Sequence, residues 1–252
     1  MRTSGFDQVA KTHVGCRRKL NEDAVLACPD HGLWAVADGM GGHDAGEVAS
    51  AMVVEALAHC AATEQALAAL GDVNARLVEM GRTAFDSRTI GSTVVGIVAD
   101  NRRFTCFWAG DSRAYRVRDG VITRLTRDHS LVQDLVDAGM IDEAAAAAHP
   151  NANVITRAVG AAEHLHVETM AGDVRADDLY LLATDGLTRL VDDDELLAAL
   201  VEDDLEAAAA GLLDTALERE APDNVSLILL RALPDDAAGS KGGATILRHG
   251  LQ

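Results

Sequence analysis

Four aspartates in this sequence stand where apolar runs begin or end. Asp38 follows the run 33–37 and precedes Gly39. Asp111 follows Phe107, Trp108, Ala109 and Gly110. Asp185 follows the run 178–184 and precedes Gly186, and Asp223, with Asn224, directly precedes the run 225–231. A carboxylate at a buried strand end is costly unless a cation meets it. Carboxylates gathered together raise one another's pKa until a cation neutralises them. Oxygen-only donors select hard divalent ions, Mg2+ or Mn2+, with several waters retained. Glycine after the aspartate lets the backbone come close, so its carbonyl can add a ligand or anchor a water. Asp-Gly is also ordinary turn punctuation, and both readings stand at the level of spacing.

A second cluster supplies positive charge. Arg17, Arg18 and Lys19 come directly before Asn21, Glu22 and Asp23. One reading is a solvated charge run with internal ion pairs. The other is an arginine fork that grips a phosphate group beside acids that hold metal.

These residues need elements to place them. Residues 45–62 repeat apolar positions at three and four and predict a helix, and 64–85 predict a second. Three strand-like runs follow at 92–99, 104–109 and 114–117, and Asp119-Gly120 before 121–123 is a hairpin signal. Tight turns between successive strands imply antiparallel sheet. Residues 130–148 are helical in pattern without a long apolar face, a candidate excursion over the surface. The runs 178–184 and 225–231 predict buried strands, with an acidic, alanine-rich helical stretch at 192–220 between them. This order predicts one α+β domain with helices layered on antiparallel sheet. Residues 234–252 are polar and Gly-rich and are expected to be a loose, flexible tail.

Composition bounds the function. The chain has 252 residues, with 40 acids and 22 bases, for a formal charge of −18. That balance argues against nucleic acid and anionic membranes as partners. A phosphorylated substrate would need a local source of positive charge. The apolar share of 48% suits a folded domain. Aromatics are 3%, so the core is expected to be mostly aliphatic. Cys16, Cys28, Cys60 and Cys106 are widely spaced, which predicts free thiols in a reducing compartment rather than a disulfide framework. The first twenty residues hold no continuous apolar stretch and no run is long enough to span a membrane, so a cytoplasmic location is expected.

Taken in order, the motifs resemble the metal-dependent serine/threonine protein phosphatases of the PPM, or type 2C, family in their compact bacterial form. The resemblance runs over about residues 5–231. It rests on Arg18-x-x-Asn21-Glu22-Asp23, then residues 36–43 (VADGMGGH), Gly91-Ser92-Thr93 and residues 109–115 (AGDSRAY). Leu125-Thr126-x-Asp128-His129-Ser130, residues 156–160 (TRAVG), residues 183–186 (ATDG) and residues 223–226 (DNVS) complete it.

The resemblance implies a four-layer αββα sandwich, two antiparallel sheets flanked by helix pairs. It implies a catalytic domain over 1–233, with a flap at about 128–155, before the tail. It also implies two or three Mn2+ or Mg2+ ions. Asp38 would bridge two of them, and Asp185 and Asp223 would complete the first site. Glu22 or Asp23, with the Gly39 carbonyl, would support the second, and Asp111 with Asp185 the third. Arg18 would bind the substrate phosphate. Asp38, Asp185 and Arg18 would carry the catalysis, in which a metal-activated water hydrolyses phosphoserine or phosphothreonine. The implied partners are phosphorylated proteins and a cognate bacterial Ser/Thr kinase whose action the chain, as a monomer, would reverse. The alternative is a non-catalytic phosphoprotein-binding or sensory module of the same fold. A phosphatase for small phosphate esters would share the chemistry.

Some family members place a histidine directly after the first Asp-Gly. Here that position is Met40, which cannot donate a proton and is expected to pack. His43 and His129 are candidate replacements, but a metal-held water is the preferred donor, and a structural or surface role is expected of either histidine. His164 and His166 share a face of a predicted strand but lack a third ligand nearby. Met52 and Met80 are expected in the core, and Arg102, Arg103, Arg116 and Arg118 at sheet edges or in solvent.

Overall fold

The computed structural model describes residues 5–41, 45–84, 89–100, 102–234 and 244–248. The strands are β1 (Phe6–His13), β2 (Asp23–Cys28), β3 (Leu33–Met40), β4 (Gly91–Ser92), β5 (Val94–Ala99), β6 (Arg103–Ala109), β7 (Arg113–Arg118), β8 (Val121–Arg124), β9 (Glu168–Asp173), β10 (Leu179–Ala183), β11 (Val225–Ala232) and β12 (Thr245–Leu247). The helices are α1 (Ala45–Leu57), α2 (Thr63–Thr83), α3 (Leu131–Asp137), α4 (Glu143–Ala147), α5 (Asp185–Thr188), α6 (Asp193–Leu200) and α7 (Leu205–Glu218).

Two antiparallel sheets result. One runs β1-β11-β10-β7-β8. The other runs β12-β2-β3-β5-β6-β9, with β4 paired to the far end of β3. Side-chain alternation along each strand then builds three cores from two sheets. On β3, Leu33, Ala35 and Ala37 face α1 and α2, while Trp34 and Val36 face the other sheet. On β10, Leu179, Leu181 and Ala183 face α5, α6 and α7, while Tyr180 and Leu182 face inward. Burial on both faces explains why these strands read as continuous apolar runs. The layers are therefore helix, sheet, sheet, helix, the expected αββα sandwich.

Half of the eight aromatics gather in one contact group between the sheets. Phe6, Trp34, Tyr180 and Phe104 meet in edge-on contacts between the sheets, with Phe6–Trp34 and Phe104–Tyr180 centroids 5.2 Å apart. Aliphatic residues and alanine fill the rest of that layer. Met52 and Met80 pack against the helix-side core, as expected. The four cysteines are free, three of them buried.

Several elements differ from the sequence reading. The stretch 192–220 is two helices, because Asp204 caps a new start with its side chain on the Glu206 and Ala207 amides. The segment 130–148 breaks likewise into α3 and α4, and α3 buries no side chain. Residues 161–167 are not strand, so His164 and His166 sit exposed on a loop. Arg118 is no solvent charge: it forks onto buried Asp178, with both nitrogens at 2.6 Å. Within the expected tail, Thr245–Leu247 forms β12, paired to Ala27, Leu26 and Val25 of β2.

Candidate active site

Topology brings the acids to one end of the sandwich. β2 and β3 are antiparallel neighbours, so the start of β2 and the far end of β3 coincide, and Asp23 pairs directly with Asp38. β10 and β11 are likewise antiparallel, so Asp185, just beyond β10, and Asp223, just before β11, share the corresponding end of the other sheet. Asp111 lies in the connection from β6 to β7, where the chain crosses between the sheets.

The local structure around each acid follows from its neighbours. Asp38 is not past the end of its strand: β3 continues to Met40 because Gly39 and Met40 pair with Ser92 and Gly91. The Asp38 amide donates to Thr93 Oγ1 at 3.1 Å, and its carbonyl accepts from the Thr93 amide at 2.8 Å. Gly39 must be glycine for reasons of space. A Cβ there would lie 2.0 Å from the Gly46 carbonyl oxygen of α1 and 2.7 Å from that of Glu22. This fit presses α1 against the strands and lets the Gly39 amide donate to the Glu22 carbonyl at 3.1 Å. Asp185 opens α5 rather than a loop. Gly186 follows it against Asn224, whose carbonyl oxygen would be 1.9 Å from an added Cβ.

Asn224 proves to be a central residue. Its Nδ2 donates to the carbonyls of Val14 and Leu20 at 2.9 and 3.0 Å, and its Oδ1 accepts from the Glu22 amide at 2.8 Å. One side chain thus ties the loop that carries Arg18 and Glu22 to the end that carries Asp223. Arg18, half-exposed, donates to Asp223 Oδ2 at 2.7 Å and lies 3.9 Å from Glu22 Oε2. Arg189 performs a similar bridge on the other side, 3.2 Å from Asp111 and 2.8 Å from Asp185.

The electrostatics are those of an under-neutralised acid cluster. Burial, with Asp185 and Asp223 nearby, pushes the Asp23 carboxyl up to about 7, despite hydroxyl contacts to Ser226 and Thr184. Burial and then Asp185 push Asp111 up to about 7, with Arg189 opposing. Asp38 is raised well above the usual carboxylate range by burial and by Asp23, Asp185, Asp111 and Asp223. Asp185 is raised by burial, against the pull of Arg189. The Asp223 carboxylate holds the Arg18 guanidinium protonated above its ordinary range.

These residues fit a bound divalent cation. Asp23 is buried, its Oδ2 accepts from Thr184 Oγ1 at 3.0 Å, and its Oδ1 has no hydrogen-bond partner. A buried charged oxygen without a donor is a costly arrangement that a cation relieves. The donor set is carboxylate and carbonyl oxygen, suited to Mg2+ or Mn2+. Among the described residues no three such side chains already close on one point. Two arginines bridge them instead.

Other sequence candidates resolve differently. Met40 is part of β3 and its methyl lies against Gly91, a packing role. His43 lies outside the described residues. His129 is buried and stacked on Trp108, with Nδ1 accepting from the Gly110 amide at 3.2 Å and Nε2 3.3 Å from Glu168 and from Arg157. Burial and Arg157 keep its ring below the usual histidine pKa. Both ring nitrogens are engaged, so His129 anchors the start of the 128–155 segment. Sequence reasoning missed Asn224 and Arg189 as site residues. The signals were present, an asparagine directly after a site aspartate and an arginine one helical turn beyond another.

The fold and this site define the class, a four-layer sandwich with an acid cluster at one end of two apposed sheets. A family model described as Protein phosphatase 2C matches residues 16–220, and the chain belongs to that family. The serine/threonine protein phosphatase PstP of Mycobacterium tuberculosis is 39% identical in a match 231 positions long that covers 87% of this chain and 44% of that protein. The chain thus spans less than half the length of that curated relative. Among solved structures, PppA, a key regulatory component of T6SS in Pseudomonas aeruginosa, superposes with a TM-score of 0.84 at 40% identity. That match covers 92% of this chain and 99% of the other. The catalytic domain of PstP in complex with two manganese ions gives 0.82 at 34% identity, covering 91% and 99%.

Proposed function

We propose that the chain is a metal-dependent protein phosphatase that hydrolyses phosphoserine and phosphothreonine in proteins. The observation that carries this reading is the paired Asp23 and Asp38, with Asp23 buried and one of its oxygens orphaned, near Asp111, Asp185 and Asp223 and rimmed by Arg18. Relatives named as serine/threonine phosphatases, one solved with manganese, support it.

In this reading Asp38, Asp185 and Asp223 hold one Mn2+ or Mg2+ ion. Glu22 or Asp23, with the Gly39 carbonyl, would support a second, and Asp111 with Asp185 a third. When bound, such ions acidify water and neutralise charge on a phosphoryl group. The chain's own residues supply the rest. Arg18 sits half-exposed at the rim and offers its fork to the phosphoryl oxygens. Asn224 fixes the loop that presents it. Thr184 orients Asp23, and Thr93 fixes the backbone at Asp38. Neither Met40 nor His129 is a free proton donor for the leaving hydroxyl.

The substrate is a phosphorylated protein, favoured when basic residues flank the phosphate, since the chain's own charge is −18. A Ser/Thr kinase is the natural opponent. Among the described residues no helix is long and apolar enough to cross a membrane, and we place the activity in the cytoplasm, in a monomer. A non-catalytic binding module would not need the whole acid set. The test is release of phosphate from a chromogenic ester and from a phosphothreonine peptide, with Mn2+ or with a chelator. Turnover of both that the chelator abolishes is expected. Absence of turnover with any divalent ion sinks the proposal, and turnover of the ester alone shifts it to small phosphate esters.

A further inference from the structure

Arg189 is not used by the function proposed above. It lies four residues after Asp185 at the end of α5, so one helical turn returns its guanidinium over that carboxylate. Its Nη2 is 2.8 Å from Asp185 Oδ2 and 3.2 Å from Asp111 Oδ2. The same group donates to the Ala152 carbonyl at 3.4 Å and, through Nη1, to Asn153 Oδ1. One cation therefore serves two site carboxylates and two acceptors of the 128–155 segment.

That segment has few other ties to the body. Its ends bond to each other, Leu131 to Val154 and Thr156 to His129. α3 buries no side chain. At the root His129 meets Gly110 and Glu168, and Asp128 meets Arg113 and Arg124; α3 is paired back to Arg127 through Asp137; the tie through Arg189 is the described one at residues 152–153. A guanidinium and a divalent cation repel strongly at contact distance, so they compete for the same carboxylate oxygens.

We propose that Arg189 is the resident counter-cation of the Asp111–Asp185 half of the site and the tether of the flap, so that a divalent ion bound there displaces Arg189 and releases residues 152–153. This rests on the metal-dependent reading above. The linkage is reciprocal: whatever holds the flap against Arg189 weakens the ion, and the ion loosens the flap. Arg189 is a positioning residue in this account. A substrate protein that engages the flap would thereby alter how firmly the ion is held.

The experiment uses the full chain. Mn2+ binding is followed by the loss of free-ion electron paramagnetic resonance signal, and hydrogen exchange is measured over residues 149–155. In the wild type, one Mn2+ should bind more weakly than the others, and its binding should raise exchange in that stretch. Arg189→Gln should tighten the weak site about tenfold, within the usual range of coupled equilibria, and leave exchange high with or without Mn2+. Arg189→Lys keeps the charge but not the fork. It should leave the weak site near its wild-type affinity while raising exchange, and it carries the test if the glutamine variant does not fold. An unchanged weak site in Arg189→Gln overturns the counter-cation. Protection of 149–155 by Mn2+ in the wild type, or exchange indifferent to both variants, overturns the tether. Failure of the wild type to bind any Mn2+ defeats the proposed function itself, a distinct result.

Discussion

Asp23 and Asp38 face each other as directly paired residues of β2 and β3. Like charges in that relationship destabilise a sheet, and one oxygen of Asp23 is buried without a donor. The strands are held in register despite the pair, by apolar neighbours buried on both faces. The fold therefore carries a local penalty there that a bound cation would remove.

Replacing Asp23 with Asn removes the charge while keeping an acceptor for Thr184. Each unit of pKa displacement is worth about 1.4 kcal/mol, so the variant should melt several degrees higher than the wild type in chelator. Mn2+ should raise its melting temperature less than it raises the wild type's. Calorimetry with and without the ion checks both, and a variant that melts lower in chelator contradicts the penalty.

The penalty should depend on pH with a definite sign. Asp23 and Asp111 ionise near 7 in the folded chain and near 4 when unfolded. Between those values the folded state holds more protons, so their contribution to stability falls as pH rises and levels off above about 7. The gain from Asp23→Asn should thus be larger at pH 8 than at pH 6 in urea titrations with chelator. His129, kept neutral by burial, contributes with the opposite sign below about 6.5, and comparing two variants at each pH cancels it. An equal gain at both values would mean Asp23 is not the titrating group.

Asp185→Asn should leave a folded protein whose turnover is at least about a hundredfold lower, because in the reading proposed above Asp185 would be a shared metal ligand. Arg18→Ala should act differently, raising KM for a phosphopeptide about tenfold with a smaller effect on kcat, as expected for a group that binds the phosphate before reaction. Circular dichroism and steady-state kinetics separate the two. Wild-type-like turnover in Asp185→Asn would refute the metal assignment.

Asn224→Ala should behave as a loop defect. It breaks three hydrogen bonds around a buried side chain, a cost of about 2 kcal/mol. KM should rise as the Arg18 loop loosens. A loss of stability with unchanged KM would show that the loop is held by other contacts.

Much of this architecture was legible in residue patterns. The strands at 92–99, 104–109, 178–184 and 225–231 fell close to their observed positions because alternation and turn residues agree there. The acids were legible because each is polar at an apolar boundary. The helices of 130–148 and 192–220 were not resolved, since alanine-rich stretches favour helix throughout and only Asp142 and Asp204, as side-chain caps, mark the restarts. Arg118 looked like solvent charge because its partner Asp178 is sixty residues away. Arg189 was missed only partly for that reason: Asp185 lies one helical turn before it, but its other site partner, Asp111, is 78 residues away.

The pairing of β1 with β11 joins Phe6 to Ala232 and His13 to Val225. Glu22 and Asp23 follow one of those strands, and Asp223 precedes the other. During synthesis the first of these carboxylates leaves the ribosome some two hundred residues before the last. Until the β11 segment emerges, β1 lacks its neighbour and Arg18 lacks its counter-charge. Contacts of such long sequence separation form late and slowly. In the reading proposed above, the acid cluster therefore stays incomplete until the β11 segment has emerged, and any metal-dependent activity would follow that pairing.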